Sequence, residues 1–459
     1  MENELEHLNW NIKHALSQLE GPLSEELNAC LEVSPTSLNS SPLVYQKLLE
    51  TVQVLDKLLV TLTPPNMTLM DGIFAFTNSK VLLSATEYAL ADHVQKLQPC
   101  SISELAQASG LHEQGLSQIV RYLREMGYFS QDPETGRLSN NRLSDLLRKD
   151  HWTGWINWVD FFPREYYDLL SRLPDQLRSD QPKTATELFY NTDKPIYQYL
   201  AETGRAAGFH KVTGTGSVVE APGLLADYPW DEVKSETVVD IGAGAGDFIR
   251  SYLEKYPDAT AAAFELPSTA EILRQRFPAD DPLTGRIVSI TGGDFFQDPL
   301  PKSSVYLLRW ILHNWGDEDC VKLLRRLRET IVIKSGVSRV LIVESVLFDG
   351  RLGRGARYAD IRMLVRCRNK ERTLEEYRRL AEEAGWQLNR VITPRGCLTQ
   401  VMELRPTVSI MMERNWSLGE SCMGIIAFLA LSIHLDRQLQ GNWNRFDTAI
   451  DAVHSPSSK

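Results

Sequence analysis

The segment Val238-Val239-Asp240-Ile241-Gly242-Ala243-Gly244-Ala245-Gly246-Asp247-Phe248 constrains this chain more than any other. An apolar run reaches an acidic residue, turns through three alternating glycines and continues in a pattern that suits a helix. Glycine accepts backbone angles that side chains resist, and it lets a ligand approach the main chain closely. The helix that follows presents free N–H groups to whatever lies in the turn. Strand, tight turn and helix in that order form the first unit of a doubly wound α/β sheet. The spacing is G-x-G-x-G, not the dinucleotide G-x-G-x-x-G.

The alternation continues across 231–406. Strands are expected at 237–241, 260–266, 287–291, 305–310, 340–347, 388–393 and 399–404, with helical patterns between most of them. This predicts an α/β domain with a mostly parallel seven-stranded sheet covered on both faces. Four further segments flank it. Residues 1–79 show helical spacing, broken by a Ser/Pro-rich stretch at 34–42. Residues 80–150 read as helix, turn, helix and hairpin, the outline of a winged helix, with Leu116, Ile119, Val120 and Leu123 on one helix face. Residues 151–230 are helical and rich in aromatics, including Trp155, Trp158, Phe161 and Phe162, which read as core or as the lining of a cavity. Residues 407–459 form an atypical tail.

Acidic and aromatic residues sharpen the glycine turn. Glu265 closes the second strand, where a carboxylate accepts both hydroxyls of a ribose, and no basic residue follows to suit a 2′-phosphate. Gly292-Gly293-Asp294-Phe295 closes the third, where Asp294 suits an adenine amino group and Phe295 its ring. His313 lies just past the fourth strand, at the edge where open α/β sheets bind ligands. Two carboxylates are candidates to orient it. Glu344 sits inside an apolar strand and so needs a buried partner or a site. Glu371 precedes a helix and reads equally as a solvated charge or a partner of Arg372.

A net charge of −11 argues against a dedicated nucleic-acid binder. In the winged helix, Arg121 and Arg124 are offset by Glu113 and Glu125. The six cysteines are scattered without a C-x-x-C pair, so neither a disulfide framework nor a metal site is expected. The N-terminus lacks a secretory signal, and the apolar run at 422–435 falls short of the ~20 residues a spanning helix needs. The expected location is the cytoplasm, without membrane attachment.

These segments, and above all Leu308-Arg309-Trp310-Ile311-Leu312-His313-Asn314-Trp315, Gly293-Asp294-Phe295-Phe296 and Lys370-Glu371-Arg372-Thr373, resemble the small-molecule O-methyltransferases of plants and fungi. The resemblance, to the caffeate and fungal polyketide methyltransferase type, runs from about residue 80 to 406. It implies a Rossmann-like class I domain that binds S-adenosylmethionine (SAM), preceded by a winged-helix dimerisation domain, in a homodimer acting on a small-molecule hydroxyl. It implies His313 as general base, flanked by Glu344 and Glu371. It places Asp240, Gly242, Gly244, Gly246, Glu265, Asp294, Phe295 and Arg309 at the cofactor. Asp360 and Met363 fall on a segment that shapes the acceptor pocket, and Trp158 and Phe162 are candidates for its lining.

The chain departs from that pattern in three places. Arg366-Cys367-Arg368-Asn369 replaces the usual glycines; two extra arginines near the pocket suit either an anionic substrate or solvent, and solvent is the expected reading. Thr213 stands where a pocket methionine is usual. The tail at 407–459 is additional, either a covering helix or translated sequence foreign to the natural protein. Two rival functions remain: a SAM-binding enzyme of this fold that catalyses a pericyclic reaction without methyl transfer, and a SAM-sensing DNA regulator.

Overall fold

The computed structural model describes residues 1–407 except 33, 36, 37 and 195, so the expectations for the tail lie outside the described residues. The helices Glu2–Glu20, Ser24–Leu31 and Pro42–Leu62 bury none of their described side chains. Helix Pro65–Glu87 changes character along its length. Met67, Met70, Ile73, Phe74 and Phe76 are exposed, whereas Val81, Leu83 and Ala85 are buried.

The buried end enters a compact winged helix. Helices Leu90–Leu97, Ile102–Ser109 and Glu113–Glu125 pack around Val94, Leu105, Leu116, Val120 and Leu123. Ser101 and Glu104 cap the middle helix reciprocally, and Gly110 ends it in the left-handed conformation. The wing is the hairpin β1 (Ser130–Gln131) and β2 (Leu138–Ser139), joined by a bridge from Leu138 to Cys100. The aromatic stretch that follows forms helix Ile156–Phe161 and a π turn at Phe162–Tyr166. Pro163 has no N–H to donate to the preceding turn, which accounts for the widening there.

The sheet comprises β3 (Thr237–Ile241), β4 (Thr260–Glu265), β5 (Ile287–Gly292), β6 (Val305–Arg309) and β7 (Arg339–Glu344). A short pair, β8 (Val346–Leu347) and β9 (Arg372–Thr373), lies outside it. β10 (Trp386–Ile392) and β11 (Gln400–Pro406) complete it, in the order β10-β11-β7-β6-β3-β4-β5. β3 to β7 are parallel, while β11 runs antiparallel between β7 and β10. Two apolar layers cover the faces. One includes Leu323, Leu327, Tyr377 and Trp386, and the other Leu224, Phe248, Tyr252 and Leu273. The expected seven strands are therefore present. The run expected at 340–347 breaks at Ser345, because β7 ends at Glu344 and the chain leaves the sheet to pair as β8.

Parallel register aligns the carboxyl ends of the strands. Ile241 lies opposite both Phe264 and Leu308, Glu265 opposite Gly292, and Arg309 opposite Val343. The polar residues that follow each apolar run thus converge on one edge.

Candidate active site

The glycine turn explains its own composition. Gly242, Gly244 and Gly246 all have positive φ, at 76°, 56° and 82°. A side chain at Gly242 would strike Ile311 Cδ1, at 2.3 Å from the added carbon, and one at Gly246 would crowd Phe277 and Leu273. Gly244 differs, for its added carbon meets nothing within 4 Å. Its backbone faces open space, the cradle a ligand can fill.

Glu265 borders that space. One carboxylate oxygen accepts the Gly244 N–H at 2.9 Å, and the other the Leu266 N–H at 2.8 Å. Burial raises its pKa, and these two hydrogen bonds oppose the rise. Each oxygen retains a lone pair for a ribose hydroxyl. Asp294 caps its own turn by accepting the Phe296 N–H and the Gln297 amide, and Phe295 packs edge-on against Phe296 and Trp315. Beneath the turn Asp240 is buried, which pushes its carboxyl up to about 7 against the pull of Arg309. Arg309 donates to Ser217 Oγ and stacks over Trp310, while its Nη1 is buried without a hydrogen-bond partner. Glycine cradle, ribose-type acid and orphaned guanidinium nitrogen together fit a nucleoside that carries an anionic group. A cavity of about 520 Å³ opens beside the turn, lined in part by Ala245, Asp247, Gly214, Thr215 and Trp152, and His313 is not among its walls.

The second half of the site hangs on the loop after β6. Trp310 takes a left-handed conformation with φ of 53°. Glu344, at the end of the neighbouring strand, accepts the N–H groups of Ile311 and Leu312, each at 2.8 Å. Those bonds tie down the short turn that carries His313. The pairing of β8 with β9, Val346 opposite Arg372, returns the chain to the same edge and delivers Glu371. Its Oε1 lies 2.8 Å from His313 Nδ1, and Glu344 Oε2 lies 3.5 Å from the same nitrogen. All three groups are buried. Burial lowers the His313 pKa and raises both carboxyls, so the cluster favours a neutral imidazole. The remaining ring nitrogen, Nε2, is left to act on a ligand.

The same three side chains could in principle gather a cation, since one donor atom from each lies within 4.8 Å of the others. Their surroundings oppose that. One Glu344 oxygen is committed to two backbone N–H groups, and Arg362, Arg366 and Arg372 all act on His313 as nearby positive charges.

A family model for the O-methyltransferase domain matches residues 188–387, and one for the O-methyltransferase dimerisation domain matches 70–150. O-methyltransferase hasC of Aspergillus fumigatus is 88% identical over 406 residues, 88% of this chain and 94% of that one. O-methyltransferase sirM of Leptosphaeria maculans is 38% identical, spanning 88% of this chain and 100% of its own. The chain belongs to the O-methyltransferase family. NcsB1, an O-methyltransferase from neocarzinostatin biosynthesis solved with SAM and 2-hydroxy-5-methyl naphthoic acid, aligns at a TM-score of 0.53. It is 27% identical, covering 72% of this chain and 96% of its own. This O-methyltransferase is accordingly a SAM-dependent enzyme of the class I fold.

The sequence-predicted residues of this O-methyltransferase fall into two groups. The glycines and Glu265 border the cradle, Asp294 and Phe295 follow the end of β5, the strand beside Glu265, and His313, Glu344 and Glu371 meet directly. The reading of Glu371 as a partner of Arg372 does not hold. Arg372 instead pairs with Asp317 and donates to the carbonyls of Leu312 and Trp315. Asp360 accepts the Glu371 N–H at 2.9 Å and so anchors that residue's backbone. Trp158 and Phe162 pack edge-to-face with ring centroids 5.2 Å apart, and Trp158 donates to the Val212 carbonyl. Thr213 spends its hydroxyl on its own helix, on Phe209 and His210 carbonyls.

One expectation is corrected. Arg366 does not face solvent; it is buried, meeting Asn314 Oδ1 and Met363 Sδ. Helix Arg354–Cys367 turns that residue toward the His313 loop, whereas Arg368 ends the helix with φ of 59° and is exposed. Met363 is buried beneath Arg366. Sequence reasoning also missed Arg362, one of the charges acting on His313, and Ser217, which accepts from Arg309. The first carried a signal, because an arginine on the segment of Asp360 and Met363 is one turn from Arg366.

Proposed function

We propose that the chain methylates a phenolic or enolic hydroxyl of a small secondary metabolite, aromatic or polyketide-derived, with His313 as general base. The observation that carries this is the buried contact of His313 Nδ1 with Glu371, which leaves Nε2 for the acceptor. When bound, SAM supplies an electrophilic methyl group on a sulfonium centre. Glu265 would hold its ribose, Asp294 its adenine amino group and Phe295 the adenine ring, with Gly242, Gly244 and Gly246 admitting it to the main chain. Arg309 and Asp240 would border its charged end.

His313 Nε2 takes the proton of the acceptor hydroxyl. The Nδ1–H donates to Glu371, which fixes the useful tautomer and stabilises the imidazolium that forms. Glu344 holds the loop by its backbone. Aromatic faces at Trp158 and Phe162 suit a planar acceptor, and alignment of the hydroxyl there is chiefly a positioning effect. Incubation of metabolite extract with methyl-labelled SAM is expected to place label in an O-methyl group of a small molecule. Absence of any labelled small molecule would sink this reading, and product formed without label would favour the pericyclic alternative.

The enzyme works as a homodimer in the cytoplasm on this reading. Met70, Ile73, Phe74 and Phe76, exposed on helix Pro65–Glu87, fall within the dimerisation-domain match, a patch of the kind subunit contacts cover. All five described cysteines are unpaired, as suits a reducing compartment. Ile73→Asp with Phe76→Asp is expected to yield a monomer by light scattering. A variant that stays dimeric would place the interface elsewhere.

A further inference from the structure

Helix Arg354–Cys367 places Arg362 and Arg366 one turn apart on one face. The Arg362 guanidinium carbon lies 4.8 Å from the Phe162 ring centroid and 5.9 Å from that of Trp158. Its Nε is buried without a hydrogen-bond partner, and the side chain makes no hydrogen bond or ion pair among the described residues. Arg366 extends the same positive surface toward the base loop through Asn314, and its guanidinium lies 5.6 Å from the Phe209 ring. Both cations act electrostatically on His313, and both act on Glu371.

The Arg362 Nε is held off water with its donor unmade, which is costly in a residue otherwise only part-buried, and a second positive charge one turn away adds to the cost. Stacking on aromatic rings recovers only part of it. Glu371, the carboxylate that acts on Arg362, meets His313 through Oε1 alone and makes no hydrogen bond to Arg362, so its Oε2 and the Arg362 Nε are both buried without a partner. The missing acceptor is therefore a ligand's, and the aromatic rings around Arg362 identify a planar one.

We propose that Arg362, with Arg366 behind it, is a specificity-determining anion site. It selects acceptors bearing a negatively charged oxygen, a carboxylate or acidic enolate, next to the hydroxyl that is methylated. This rests on the acceptor lying against Trp158 and Phe162 with its hydroxyl at His313. The fork of donors on Arg362 takes the charged oxygen, and the aromatic faces take the ring system. The paired arginines also favour the ionised form of the neighbouring hydroxyl.

The test uses the full-length enzyme saturated with S-adenosylhomocysteine and two probes, 1-hydroxy-2-naphthoate and 1-naphthol. Binding is read by calorimetry, so no methyl transfer is needed. The wild type is expected to bind the naphthoate at least ~10-fold more tightly than the naphthol, the scale of a charge-assisted hydrogen bond. Arg362→Met is expected to erase that preference while leaving naphthol affinity unchanged, and Arg362→Lys to restore part of it. Equal affinity for both probes in the wild type, no naphthoate binding at all, or a preference that survives Arg362→Met would overturn the proposal. Loss of naphthol binding in Arg362→Met would also overturn it, since the residue would then serve the pocket's shape. A wild type that prefers naphthoate yet methylates no hydroxyl in the labelled-SAM assay would refute the methyl-transfer reading and leave the anion site standing.

Discussion

His313→Ala is expected to slow turnover by about 10²–10⁴-fold, the usual worth of a positioned general base, with SAM affinity unchanged. The two effects separate because the cofactor-side residues share no hydrogen bond with the imidazole. Gly244 and Glu265 bond to each other, and Asp294 bonds within its own turn. Glu344 keeps the loop in place through Ile311 and Leu312 whether or not the ring is present. Single-turnover rates with labelled SAM, beside calorimetric binding of the cofactor, read both quantities. Because alanine leaves two buried carboxyls facing a hole, His313→Gln is the gentler companion. Near-normal turnover in both variants would remove His313 from the chemistry.

Glu403→Leu is expected to cost about 3–5 kcal/mol of stability, the range for removing one partner of a buried ion pair. Arg339 and Glu403 are both fully buried, with 3.0 Å between Nη1 and Oε2. Tyr228 and Asn389 donate to the same carboxylate, and Arg405 reaches its other side. Burial raises the Glu403 pKa, but the Tyr228 hydroxyl and the charges of Arg339, Arg405 and Arg390 outweigh it and hold the group below its ordinary value. A carboxyl depressed on folding stabilises the native state above its unfolded pKa of about 4.3, and that contribution fades as pH falls through the folded value. The wild type should therefore lose stability on acidification below about pH 4 more steeply than Glu403→Leu. Chemical denaturation across pH 3–7 checks both points, and a loss under ~1 kcal/mol at neutral pH would show the cluster is dispensable.

Periodicity carried most of the fold. The strands at 237–241 and 305–310 were legible because fully buried parallel strands read as unbroken apolar runs. Acids inside or ending such runs, Asp240, Glu265 and Glu344, stood out for the same reason. What sequence could not give was mutual placement. Glu371 reaches His313 through the two-residue β8–β9 pairing, which leaves no periodic trace in so short a stretch. Arg366 reads more readily as surface than as pocket, because a helical arginine beside Arg368 looks solvated, yet the helix turns it inward. Its neighbour Arg362 gains meaning only once Trp158 and Phe162, some two hundred residues earlier, are folded against it.

Ile311 is pressed against the backbone of Gly242, and Glu344 holds Ile311 by its amide. Glycine turn, His313 loop and supporting acid therefore form one unit at the edge of the sheet. On the proposed reading, the rings and arginines that would face the acceptor come from helices Ile156–Phe161, with its π turn, and Arg354–Cys367. Such a division lets a lineage exchange one acceptor for another by altering the outer helices alone. The reaction geometry is kept through such changes as long as Asp360, on the same helix as the arginines, continues to hold the Glu371 backbone.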